Sequence, residues 1–504
     1  MRPAPSAAAA LALAGSLVLG LGACTSAPDG GGASGTPDPD ATLTVGLVLE
    51  PVSLDVRTTS GIAVEQVLID NVYQGLVGRT PDAEIVDVLA TGHEVSDDGL
   101  TWTFTLRDGV TFAGTGDAMT ADDVVWSLQQ VAGDDTYVGH DDLAAVQSVT
   151  SPDPATVVVT LSRPDSSLLW ALAGRAGLVL EQDATNDRST TSNGTGPFEV
   201  ARWNQGDSLQ LSRVADAWGE PAGVAGITFR YVTDRSAAIN ATISGDVDVQ
   251  TSVDATLRPQ LDGVEGVTVE EGRTTDKYTL AFNNAVEPFT DERVRRALRT
   301  AIDDDAVIAA VGGAAVPQGG PIPELDPGHE DLTDVDAYDP DAARALLEEA
   351  GATDLDLTLT VANVYPSAIG DVLTSQLADV GVTLEVRQVE FATWLQQVYQ
   401  DHDFELSMVN HAEAHDFANW ADPDYYWGYD SPEVQALYAE SLAATDPAAV
   451  DDALARAARI VSEDAPAEWL YTATALTAVR DGIGGFPTES TTARLDLTRV
   501  TKSA

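Results

Sequence analysis

The chain has 504 residues, one cysteine, and 80 acids against 26 bases, for a formal charge of −54. That length exceeds a single core and fits roughly two to four packing units of ~150 residues, which a 44% hydrophobic content can fill. So acidic a surface repels nucleic acid and anionic lipid, which excludes phosphate-tracking roles, and a lone thiol excludes any disulfide within the chain. The acids are spread along the sequence rather than gathered in a tail, the pattern of a solvated surface.

Residues 7–23, AAAALALAGSLVLGLGA, form an apolar stretch behind one charge, Arg2, and end in small residues. The stretch is shorter than the ~20 residues that cross a bilayer comfortably, and it has the anatomy of an export signal. Leu21-Gly22-Ala23-Cys24 resembles a bacterial lipobox, where the signal is cut before a cysteine that carries a diacylglycerol. Residues 1–23 are therefore expected to be a signal peptide, Cys24 the lipidation site, and 24–41 a disordered tether rich in Gly, Ser, Pro and Asp. A catalytic thiol needs a folded electropositive pocket, which such a tether does not supply.

Beyond the tether, ATLTVGLVLE reads as a strand. SGIAVEQVLIDNVYQGLV has helical spacing at Val64, Val67, Leu68, Val72 and Leu76. TWTFTLRDGVTF alternates Trp102, Phe104 and Leu106 on one face and ends at an Arg107-Asp108-Gly109 turn. TADDVVWSLQQVA predicts a helix with Thr120 as N-cap. ATVVVTLS is a strand, GTGPFEVARWNQGDSLQLSRV a hairpin, ITFRYV a strand, and DRSAAINATISGDVDVQ a helix leading to a short strand. DKYTLAFNNAVEPFTDERVRRALRTAID pairs a strand with a helix capped around Thr290 and marks a hinge candidate. YDPDAARALLEEAG is a helix closed by Gly351. Strand–helix alternation continues through LDLTLTVA, IGDVLTSQLADVG, TLEVRQVE and FATWLQQVYQ to the strand DFELSMV, the helix VDDALARAARIVSEDA and a final AEWLYTATALTAVR. Such alternation implies α/β lobes.

Four stretches carry a family resemblance: LRDGVTFAGTGDAMTADDVVWSL, GTGPFEVARW, AFNNAVEPFTDERVRRALRTAID and YDPDAARALLEEAG. In this order they resemble the bacterial extracellular solute-binding proteins of family 5, the peptide- and nickel-binding proteins of ABC importers. The resemblance implies an α/β, two-lobed periplasmic-binding-protein-like fold of class II, in the large cluster with an extra subdomain in the first lobe. Two crossing strands form its hinge, and ligand is enclosed between the lobes. Lobe I would take 42–277 plus 472–504 and lobe II 278–471. Within the four stretches, Gly109, Gly194 and Gly196 read as turn residues, and Arg293, Arg295 and Arg296 as structural.

The candidate site is MVNHAEAHDFANWADPDYYWGYDSPEV, residues 408–434, which follows a strand and gathers histidines, acids and aromatics. In peptide-binding members of the family an aspartate just after this strand pairs with the peptide α-amine, a charge-assisted contact. The family pattern there reads roughly Trp-x-x-Asp-Tyr, whereas this chain has His-Ala-Glu-Ala-His-Asp-Phe, so the position falls on Asp416 first and Glu413 second. Asn410, His411, His415, Trp420, Tyr426 and Trp427 are candidate cleft residues, with Trp394 and Tyr399 weaker. The aromatic rings suit either a varied ligand body or the packing of the lobe. Arg57 and Ser60, in EPVSLDVRTTSG, are first-lobe candidates implied by the resemblance. A metal alternative rests on His411 and His415 at i, i+4; on a helix, however, Glu413 would lie roughly 200° away from His411.

The function expected is that of a substrate-binding lipoprotein of an ABC importer. It would be held by lipid on the outer face of the cytoplasmic membrane and act as a monomer. It would capture an extracellular solute, foremost an oligopeptide, for partner permease and ATPase subunits. The alternative is a nickel-binding, other small-solute-binding or sensing protein of the same fold. No catalytic residue, cofactor or nucleic-acid partner is expected. Beyond the tether the chain lacks Walker A, GxGxxG and GxSxG patterns, and acid pairs such as Asp122–Asp123 are explained by helix starts.

Overall fold

The computed structural model describes residues 35–503. Cys24, the apolar stretch before it and most of the tether lie outside the described residues. The end of the tether is ordered rather than free: Pro37 bridges to Ser503, and the Asp38 amide donates to the Lys502 carbonyl at 2.8 Å.

Strand Thr42–Leu47 lies inside a seven-stranded sheet ordered Val267–Gly272, Ala475–Arg480, Val249–Gln250, Thr42–Leu47, Gly226–Tyr231, Ser208–Arg213, Phe198–Asn204. Its alternating Leu43, Val45 and Leu47 are fully buried. The expected hairpin forms from the last two strands. Gly194, at its entry, sits where a Cβ would come within 1.9 Å of the Val72 carbonyl oxygen, so close packing, not ligand contact, explains that glycine.

Between the first strand and this hairpin the chain inserts a subdomain. Strands Ala90–Val95, Thr101–Leu106, Thr156–Leu161 and Val146–Asp153 form an antiparallel sheet with its own core. Trp102, Phe104 and Leu106 share the buried face, as their alternation requires. Helix Ala121–Gly133 packs on it and opens with a capping box between Thr120 and Asp123.

A six-stranded sheet, ordered Ala315–Val316, Ala467–Ala473, Lys277–Phe282, Leu406–His411, Leu355–Ala362, Val382–Val389, organises the rest. One core gathers Leu298, Leu347 and Leu373 from three helices; another gathers Trp420, Trp427 and Trp469. The chain passes between the two large sheets twice, from Gly272 to Lys277 and from Ala473 to Ala475. The final apolar run is therefore shared between sheets, with only Thr474 between its two strands. Lys277 and Thr472 pair in register within the six-stranded sheet, which extends that sheet slightly past the boundaries expected at 278 and 471.

Three local expectations differ. The first helix stops at Leu68. Asp70 turns to φ 67, while the Asn71 side-chain amide donates to the Val67 and Leu495 carbonyls, so a C-terminal partner replaces the helix's next turn; Val72 and Leu76 remain buried beyond it. The helix Glu292–Thr300 is capped by Asp291, whose carboxylate accepts from the Arg293 amide, rather than by Thr290. Helix Phe391–Trp394 continues as a π-helix over Leu395–Gln400.

Candidate functional site

The site grows from two adjacent strands. Lys277–Phe282 runs antiparallel to Leu406–His411, with Lys277 opposite His411 and Tyr278 opposite Asn410. Lys277 thus stands where the chain enters the sheet, and the loop leaving His411 passes over it. Its ammonium, 2% exposed, lies 3.2 Å from Asp416 Oδ1 and donates to the carbonyls of Glu413 at 2.9 Å and Thr275 at 3.2 Å. Those three acceptors match its three protons. Burial pushes the Asp416 carboxyl up, and Lys277 opposes that.

Beside this pair lies Asp326, buried, with Oδ2 accepting from the His415 amide at 2.8 Å. Its Oδ1 has no hydrogen-bond partner and lies 3.9 Å from His415 Nε2. Burial raises Asp326 to about 7, with Lys277 and the His415 amide pulling the other way. His415 adopts φ 59, a left-handed backbone uncommon outside glycine. Its ring stacks on Trp170 of the inserted subdomain at 3.6 Å between centroids and 12° between planes. The Arg79 guanidinium lies 4.0 Å from the centroid of that same indole. The two lobes meet here, and again where the Ser166 amide donates to the Leu442 carbonyl at 3.0 Å.

On the open side are Glu413, exposed, and Asp276, half-buried. Burial first, and Glu413 also, push Asp276 up to about 6 against the pull of Lys277. Tyrosines form the wall: Tyr278 stacks on Tyr471 at 4.4 Å and meets Tyr365 edge-on at 5.9 Å.

The loop brings Asn410, His411, Glu413, His415 and Asp416 together. The Asn410 amide donates to the Tyr365 hydroxyl at 3.1 Å, and its side-chain oxygen is buried without a partner. His411 is buried with Nε2 3.2 Å from the Tyr426 hydroxyl; burial, then Lys277, lowers its ring to about 3. Trp420 and Trp427 stack at 3.9 Å and, with Tyr426, are 1–3% exposed inside the core, so their burial favours packing over ligand contact. Trp394 is likewise buried and donates to Ser407, whereas Tyr399 is exposed beside Tyr425. Arg57 is not brought to this loop. It is buried in the first lobe and donates to the Leu178 carbonyl at 2.7 Å and to those of Ser127 and Arg175. Ser60 is exposed near it. His411 ends a strand and His415 lies in a loop, so the i, i+4 helical face behind the metal alternative does not form. Among the described residues no cluster of three His, Cys, Asp or Glu side chains is arranged to hold a metal ion.

Sequence reasoning missed Lys277, Asp326, Arg79 and Trp170. One signal was available for the first: Lys277 is one of only two lysines, with Lys502, and it opens a strand at the hinge candidate. Nothing local marks the other three, which are far from the 411–417 loop in sequence.

Two α/β lobes joined by two crossings, with a polar loop over the junction, define an extracytoplasmic binding-protein architecture. The family described as bacterial extracellular solute-binding proteins, family 5 Middle, matches residues 84–436, and the chain belongs to it. It is 30% identical over 336 residues to the glutathione-binding protein GsiB of Salmonella typhimurium, covering 64% of this chain and 65% of the relative, slightly under two thirds of its length. Among solved structures, HbpA2 of Haemophilus parasuis superposes with a TM-score of 0.83 at 20% identity, over 92% of this chain and all of that one. The oligopeptide-binding protein AppA of Bacillus subtilis, in complex with a nonapeptide, gives 0.73 at 19% identity, over 93% of this chain and all of that one.

Proposed function

We propose that this protein is the substrate-binding lipoprotein of an ABC importer, one that encloses an oligopeptide between its lobes and hands it to a membrane permease. The chain would be anchored by Cys24 outside the cytoplasmic membrane, with lobe I at 42–277 plus 472–504 and lobe II at 278–471, and would bind without chemistry. The observation that carries the reading is the junction itself: a carboxylate-bearing loop of the second lobe set against the first, where the His415 ring stacks on Trp170. Family membership supports it, as do the glutathione named for the Salmonella relative and the nonapeptide in the Bacillus structure. Asn410, and Glu413 on the loop that Asp416 ties to Lys277, would line the ligand, whose extended backbone would add hydrogen bonds in the manner of a strand.

The test is native mass spectrometry of the chain from Thr25 onward, purified without refolding, followed by thermal-shift screening against di- to pentapeptides and divalent metals. A co-purifying peptide ladder, or stabilisation by peptides, supports the reading. Stabilisation by nickel or zinc alone, abolished by His411→Ala or His415→Ala, overturns it in favour of metal uptake.

A further inference from the structure

Asp416 is the carboxylate that the family resemblance nominates to hold a ligand's ammonium. Here it already has one. The three acceptors around Lys277 leave that ammonium no free proton, and the Asp416 side chain is only 10% exposed against it. A ligand amine would have to displace a buried internal ion pair. Displacement would leave Lys277 as a buried unpaired cation, a costly state.

Glu413 is placed differently. Its backbone carbonyl is what Lys277 holds, so the lysine fixes the loop at this residue while leaving the side chain outside. That side chain is exposed, and among the described residues no arginine, lysine or histidine forms an ion pair with it. Its charge, after burial, helps push the Asp276 carboxyl up to about 6 and the Tyr365 and Tyr425 hydroxyls up as well. The buried, unpartnered side-chain oxygen of Asn410 lies on the neighbouring strand end, and the Asn410 amide is bonded to that same Tyr365. Excess negative charge with spare acceptors is the chemistry that takes up an ammonium or guanidinium group.

We propose that Lys277 is a built-in counter-ion that withdraws Asp416 from ligand recognition, and that the cationic group of the ligand is received by Glu413 with Asp276 and Asn410. The proposal rests on the binding-protein reading above. Lys277 is then a specificity-determining residue: it positions the loop and decides which carboxylate faces the cleft. In this arrangement a peptide's free α-amine is met by Glu413 rather than by Asp416, and N-blocked peptides are disfavoured.

Calorimetry on the exported protein with Ala-Phe-Ala and N-acetyl-Ala-Phe-Ala tests the ligand arm. Wild type should prefer the free amine. Glu413→Gln should weaken that peptide by about tenfold or more, the scale of one charge-assisted hydrogen bond, and leave the acetylated one unchanged. The double variant Lys277→Met with Asp416→Asn removes the internal pair without stranding a charge, and should keep the preference for the free amine. Loss of that preference in the double variant, with Glu413→Gln behaving as wild type, overturns the assignment.

A second measurement does not depend on peptide binding. Brief acetylation of native ligand-free protein, read by peptide mass spectrometry, should modify Lys502 and spare Lys277, and Asp416→Asn should speed labelling at Lys277. Labelling of Lys277 as fast as Lys502 in wild type overturns the counter-ion role. If neither peptide binds while Lys277 stays protected, the peptide-importer reading and the assignment of Glu413 to the ligand's amine both fall, and the counter-ion role of Lys277 stands.

Discussion

Asp326 shows how a single side chain can set the pH response of this junction. It sits under the 411–417 loop, bonded to the His415 amide, and burial raises it to about 7 from an ordinary carboxyl value near ~3.9. The folded state therefore binds this proton more tightly than the unfolded chain does. Stability contributed by the group is present below about pH 4 and declines as pH rises towards about 7. Asp326→Asn keeps an acceptor for the His415 amide but cannot ionise. Thermal unfolding should find the variant more stable than wild type at pH 8, with the difference shrinking at pH 5; an equal difference at both pH values would show that Asp326 does not titrate across that range. None of this was legible locally, since Asp326 is one acid among 80 acidic residues, and its environment is built by Lys277, His415 and Arg79 from three other segments.

Helices and strands followed their local signals wherever capping and alternation were complete. Thr120 and Asp123 close a reciprocal cap, with the Thr120 amide 2.8 Å from the Asp123 carboxylate. Removing one half frees orphan amides in the first turn. Thr120→Ala should cost about 1 kcal/mol, seen as faster hydrogen exchange over Ala121–Gly133 with the six-stranded sheet unaffected. Signals failed where tertiary partners took over the backbone. The first helix ended early because Asn71 is held by the Leu495 carbonyl, some 400 residues on in the chain. The last apolar run read as a single element, yet it divides at Thr474 because each half finds a different sheet.

Across the two lobes, the contact of His415, Trp170 and Arg79 is the feature with the clearest consequence for motion. Its three layers come from the second-lobe loop, from the inserted subdomain's helix Leu168–Leu172, and from strand Val77–Arg79. Burial, with Arg79 and Lys277 nearby, lowers His415 to about 3, so the stacked ring is neutral at physiological pH. An aromatic pair of this kind contributes about 0.5–1.5 kcal/mol beyond area burial. Trp170→Ala should therefore lower the ratio of touching to separated lobes by up to about tenfold. Small-angle scattering of ligand-free protein should record a larger radius of gyration for the variant; an unchanged value would mean that the stack does not hold the lobes together.

The sequence already contained the α/β class, the hairpin, the capped helices, the order of the family stretches and the loop where the candidate site lies. Those features depend on side-chain period, on turn and cap chemistry, and on residues close together in the chain. The structure alone decided which carboxylate of that loop is free, because the lysine that occupies Asp416 enters from a strand more than 130 residues earlier. It also decided that Trp420, Tyr426 and Trp427 face inward, since aromatic rings suit a cleft and a core equally well until their neighbours are known.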